Sequence, residues 1–125
     1  MRTLGILIVA LALCSQAWAG PFEDGEMAYV RGDYATALRL LRPFADQGDT
    51  IAQSVLGVMY AYGDVGVAKD YVQAHKWLDL AASRASASEK ELRDKAVKNR
   101  DEVAAKMTPA QIAEAQKLVR EWKPK

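Results

Sequence analysis

The chain has 125 residues and carries 17 Lys and Arg against 16 Asp and Glu, a net charge of +1. A chain so balanced has no electrostatic footprint for nucleic acid, which shows as clustered cations and a high pI. Its single cysteine, Cys14, excludes an internal disulfide framework, and its length fits one compact domain.

The opening run MRTLGILIVALALCSQAWAG reads as a secretory signal peptide. Arg2 gives it a positive start. Leu4–Leu13 is an apolar run of about ten residues, half of the roughly 20 that span a bilayer. Ala17-Trp18-Ala19 is a small-x-small cleavage site, so the mature chain is expected to begin at Gly20 and to lie in the periplasm. Leu13 stands where a lipobox carries a small residue, which argues against a lipid anchor at Cys14. Cleavage would remove the only thiol and leave equal numbers of acidic and basic side chains. The remainder is rich in alanine and, after residue 70, poor in β-branched residues, a composition that predicts an all-helical domain.

Residues 20–49 read as a degenerate first helix pair. Phe22, Gly25, Ala28 and Tyr29 share one helical stripe. Gly32-Asp33 makes a turn, and Tyr34, Ala37, Leu38, Leu41 and Phe44 form the second stripe. Pro43 falls inside that stripe, so a kink or an end near Leu41 is expected. Gly48-Asp49 closes the pair, and Thr50-x-x-Gln53 fits a capping box for the next helix.

Residues 50–86 carry the clearest pattern. Ala52, Leu56, Met59 and Tyr60 recur at helical spacing, with Gly57 where a neighbouring helix could approach closely. Gly63 and Gly66 interrupt the pattern, and Asp70 restarts it as an N-cap for Ala74, Trp77, Leu78 and Ala81. The ordered set Ala52, Leu56-Gly57, Tyr60, Gly63, Gly66-Val67, Asp70, Ala74, Trp77 and Ala81-Ala82 resembles the Sel-one-like repeat (SLR) family, a relative of the tetratricopeptide repeat. Gly32-Asp33-Tyr34-Ala35-x-Ala37 resembles the turn of the same superfamily. The connector Gly63-Asp64-Val65-Gly66-Val67 is one residue longer than the family's. Ser83-Arg84-Ala85-Ser86 replaces its usual glycine after Ala81-Ala82, so the second helix should run on or end loosely.

The last segment, residues 87–125, reads as a capping helix pair. Ser88-x-x-Glu91 fits a capping box, and Leu92, Ala96, Val103 and Met107 form a narrow stripe on a charged helix. Glu89/Arg93, Glu91/Lys95, Asp94/Lys98 and Glu102/Lys106 are acid-before-base pairs at the stabilising spacing. Thr108-Pro109-Ala110-Gln111 starts a final helix whose apolar face holds Ile112, Ala115, Leu118, Val119 and Trp122. A repeat stack needs such a cover for its last face.

Catalytic and metal-binding patterns are weak. His75 is the only histidine and sits beside Trp77, where packing or surface exposure is its expected role. Zinc would need three or four ligands. Asp64 and Asp70 lack the spacing of a calcium loop, and Ser54, His75 and Asp70 lack a nucleophile motif around them. Neither enzyme activity nor a cofactor or metal is expected. The resemblance implies a short right-handed alpha-alpha superhelix of about three helix pairs, an all-α scaffold that binds another protein or a peptide. It places the first helix of each pair on the concave side. The candidate binding residues are therefore Phe22, Glu26 and Tyr29, then Ser54, Val58, Ala61 and Tyr62. No nucleic acid and no membrane span of the mature chain are expected, while a homo-oligomer is allowed. A cell-wall hydrolase is the alternative, although such relatives carry regularly spaced cysteine pairs. A self-associating structural component is another.

Overall fold

The computed structural model describes residues 20–125, so the expected signal peptide and its cleavage motif lie outside the described residues. Six α-helices follow in order: α1 (Pro21–Val30), α2 (Tyr34–Gln47), α3 (Thr50–Tyr62), α4 (Tyr71–Arg84), α5 (Lys90–Ala104) and α6 (Pro109–Glu121). A short 3-10 turn, Ala87–Glu89, precedes α5. Each of the first four helices packs on the next, and α6 folds back onto α4. The result is the expected all-α solenoid of stacked helix pairs. Among the described residues, no helix is long and apolar enough to cross a membrane.

One local device makes the first two helix junctions. At Gly32 and Gly48 the backbone turns to φ of 83° and 105°, which L side chains resist. After Gly32, the Asp33 N–H reaches back to the Ala28 carbonyl at 2.9 Å; after Gly48, the Asp49 N–H reaches Phe44 at 3.0 Å. These bonds satisfy carbonyls that the helix end leaves open. The aspartate that follows each glycine then caps the next helix: Asp33 accepts from the Thr36 N–H at 3.3 Å, and Asp49 from the Ala52 N–H at 2.8 Å. Asp70 caps α4 in the same way, accepting from the Gln73 N–H at 3.0 Å.

Three local expectations are corrected. Helix α2 does not end near Leu41; it continues through Pro43 to Gln47. Pro43 lies on the exposed side, while Phe44 and Ala45 beyond it pack in the core and hold the last turn in place. The capping box at Thr50 and Gln53 does not form. Thr50 instead donates to the Glu89 carboxylate at 2.7 Å, and the buried Gln53 amide donates to the Ala45 carbonyl at 3.1 Å. The box placed at Ser88 and Glu91 occurs two residues earlier, at Ser86 and Glu89. Helix α4 does run on, to Arg84, which leaves only Ala85-Ser86 before the 3-10 turn.

The main core joins the first two pairs through Ala28, Ala37, Leu41, Ala45, Ala52, Leu56, Met59, Trp77 and Leu80, all buried. Close approach within each pair depends on a glycine. A Cβ on Gly25 would sit 2.7 Å from Leu41 Cγ, and one on Gly57 would sit 2.5 Å from Leu78 Cγ. Helix α5 extends the core through Ala96 on Ala81 and Ala82, and through Val103 on Ala74 and Leu78. Its ion pairs differ from those at the expected spacings. Arg100 reaches across to Asp79 of α4 at 2.9 Å, and Lys90 pairs with Asp94. Val119 and Trp122 of α6 pack on the main core, with the Arg84 guanidinium 4.8 Å from the Trp122 ring centre. The Lys125 N–H then donates to the Asp46 carbonyl at 2.9 Å, tying the chain end to α2.

Candidate protein-binding face

The repeat-defining residues supply the frame of the face. Ala52, Leu56, Gly57, Ala74, Trp77, Ala81 and Ala82 are buried. Tyr60 is half-buried, and its hydroxyl meets the Arg42 guanidinium at 3.5 Å. Gly63 takes positive φ just before, and Gly66 within, a tight turn in which Asp64 and Val67 exchange backbone hydrogen bonds. That turn accommodates the extra connector residue and buries Val67. Trp77 lies under two cations, with Lys76 Nζ 4.2 Å and the Arg42 guanidinium 5.3 Å from its ring.

On this frame the candidate residues separate into groups. Tyr29 stacks on Tyr34, with centroids 5.6 Å apart and planes 17° from parallel. Burial raises the Tyr29 phenol above its usual range, and the neighbouring phenols of Tyr34 and Tyr62 add to the rise. Tyr62 itself is 69% exposed. Tyr29 and Tyr62, from two different helix pairs, therefore lie within electrostatic range of one another, while the direct ring contact is between Tyr29 and Tyr34.

The remaining candidates fall in several places. Phe22 packs edge-on against Phe44 at 5.2 Å and serves the core. Glu26 lines a groove on the outer side of α1 with Glu23, Met27, Val30 and Arg31, apart from the tyrosines. Val58 and Ala61 are half-buried against the second core cluster, and they line the same small cleft as Tyr62. Ser54 is half-buried. The cleft lies between α3, α4 and α5, and its polar wall is Asn99, Glu102 and Lys106.

Sequence reasoning missed two contributors to this surface. Tyr34 packs on the main core, as its place in the α2 stripe predicts, and its stacking on Tyr29 is the added feature. Its position directly after the Gly32-Asp33 turn, five residues from Tyr29, was the available signal. Asn99, Glu102 and Lys106 looked like part of a solvated helix face. Nothing in their spacing shows that α5 turns that face toward Tyr62.

His75 is buried on α4, and its Nδ1 lacks a hydrogen-bond partner. Burial lowers its pKa below the usual 6.5, and the positive Arg100 helps, while Asp79 and Asp101 oppose. The native state therefore favours neutral imidazole. The stability this gives is present above the unfolded pKa near 6.5 and is lost as pH falls through that value toward the lower native one. Between pH 7.5 and 5.5 the denaturation midpoint should fall by more in the native chain than in His75→Gln. Equal losses in both would show that His75 titrates in the folded chain as it does in water.

Among the described residues, no group of three or more His, Cys, Asp and Glu side chains converges as metal ligands. A family model described as Sel1 repeat matches residues 15–49 and 50–86, more than half of the chain. The first helix pair, which reads as degenerate, thus falls under the same model as the second. No curated protein and no solved structure matches the chain.

Proposed function

From the premise that this chain belongs to the Sel1 repeat family, whose repeats are protein–protein interaction modules, we propose that it is a non-catalytic interaction scaffold of the cell envelope. The observation that carries this reading is the tyrosine surface. A largely exposed Tyr62 lies within electrostatic range of a preformed Tyr29/Tyr34 stack, on helices fixed by buried neighbours. Aromatic side chains of this kind are enriched at protein interfaces, because they offer a large contact area for few frozen torsions. Such a strip suits an extended peptide or one face of a partner helix. The polar wall of Asn99, Glu102 and Lys106 next to it would fix the partner's direction.

Export rests on the first twenty residues: the positive start, the short apolar run and the Ala17-Trp18-Ala19 motif. The expected result for envelope protein is an intact mass that begins at Gly20. A mass that retains Leu4–Leu13 would refute processing at that bond. The interaction itself is tested by placing a photo-crosslinking amino acid at Tyr62 and, separately, at the exposed Lys117 of α6. Irradiation of cells should give a discrete adduct from position 62 and none from 117. Adducts from 117 alone would move the binding surface to the other side of the molecule.

A further inference from the structure

The two repeats can be laid over one another on their close-approach glycines, Gly25 and Gly57. That register sets Met27 against Met59. Met59 is fully buried in the main core, beneath the preceding helix pair, whereas Met27 is 60% exposed and Val30 is 83% exposed. The outer face of α1 is thus the surface that a preceding pair would cover, and among the described residues nothing lies on it. Met27 and Val30 form the apolar part of a groove there, bordered by Glu23, Glu26 and Arg31.

We propose that a second copy of this chain covers this face, with the two α1 helices antiparallel about a two-fold axis near Met27. The charge pattern of α1 favours this occupant. The acids Glu23 and Asp24 lie in its first turn, Arg31 follows its last, and all three are exposed. Asp24 and Arg31 are seven positions apart, hence on one flank of the helix, and Met27 lies midway between them. An antiparallel two-fold pairing sets Asp24 of one copy beside Arg31 of the other, twice, and brings the Met27 side chains together. Stacking head to tail would need an open last face, and α5 and α6 occupy that position. The association therefore closes as a dimer rather than growing as a fibre. One short helix per copy buries little area, so the dimer is weak and concentration-dependent.

The test is sedimentation equilibrium of the chain beginning at Gly20, across loading concentrations from about 10 µM to about 1 mM, where weak interfaces report. The expected result is an average mass that climbs toward twice the monomer as concentration rises. Met27→Glu, which places like charges across the axis, should hold the chain monomeric with an unchanged circular dichroism spectrum. Asp24→Arg and Arg31→Asp should each weaken the dimer by about tenfold, and the double exchange should restore it. A chain that stays monomeric throughout overturns the proposal. So does a dimer indifferent to Met27→Glu, or a double exchange no tighter than the single ones.

Discussion

Gly57→Leu should lower the stability of the chain by about 3 kcal/mol, the upper part of the range for overpacked cores. The reason is geometric. A Cβ at position 57 meets Leu78 Cγ at 2.5 Å and Cδ2 at 2.8 Å, and it also comes within 3.2 Å of the Leu78 backbone nitrogen. The leucine side chain can rotate, but the backbone nitrogen moves only if α3 and α4 separate. Separation would loosen Ala52, Leu56 and Trp77 together, since all belong to one core cluster. The sign for Gly57→Ala is the sharper result. On an open helix face that change gains about 1 kcal/mol of helix propensity. Here it should destabilise, because the single added carbon is the one that clashes. Urea denaturation followed by circular dichroism measures both variants. A stabilised Gly57→Ala would mean that α3 and α4 do not cross at this point.

The second large effect concerns the terminal helix pair. A chain ending at Ala87 should fail to stay monomeric and cooperatively folded. Helix α5 covers Ala74, Leu78, Ala81 and Ala82, and α6 returns to the main core through Val119 and Trp122. Removing both helices exposes a continuous apolar strip of α4 and breaks the Asp79–Arg100 and Thr50–Glu89 links. Exposed repeat faces of this kind self-associate. Trp122→Ala isolates the far end of the cap. A fully buried tryptophan loses about 3–5 kcal/mol on truncation. Trp122 is only half-buried but stacks under Arg84, so about 2 kcal/mol is expected. A loss within about 0.5 kcal/mol, the range of ordinary surface changes, would mean that α6 is a loose tail. A truncated chain that unfolds cooperatively as a monomer would show the same for the whole pair.

Local signals in the sequence were reliable where a residue acts on its own backbone. The turns read at Gly32-Asp33 and Gly48-Asp49 both form, and in each the aspartate also caps the next helix. Thr108 with Pro109 and Gln111 starts α6 in the same way. The failures share one cause: the side chain had a better partner elsewhere in the fold. Thr50 prefers Glu89, thirty-nine residues away, to its own helix end. Gln53 is taken by the Ala45 carbonyl and buried. Arg100 crosses to Asp79 and serves the packing of α5, a pairing that same-helix spacing cannot reveal. Pro43 misled for a related reason. Its local penalty was read correctly, but the core contacts of Phe44 and Ala45 outweigh it. At the candidate face, the repeat pattern picked out Tyr29 and Tyr62, which lie within electrostatic range of one another. Val58 and Ala61 instead line the cleft that α5 forms beside Tyr62, and only the packed fold decides that arrangement.

The central claim is that the tyrosine surface binds a partner while the buried repeat residues only hold it in place. The most direct test measures affinity and stability together. The protein captured by the crosslinker at position 62 is purified, and its binding to the chain is compared with binding to Tyr29→Ala/Tyr62→Ala. Tyr62 is mostly exposed and Tyr29 is half-buried. The double variant should therefore stay cooperatively folded and lose about 2 kcal/mol of stability, nearly all of it from Tyr29, which packs on the main core. It should lose affinity by at least about tenfold, as interfaces do when an aromatic anchor is removed. Unchanged affinity in a folded double variant would contradict the account.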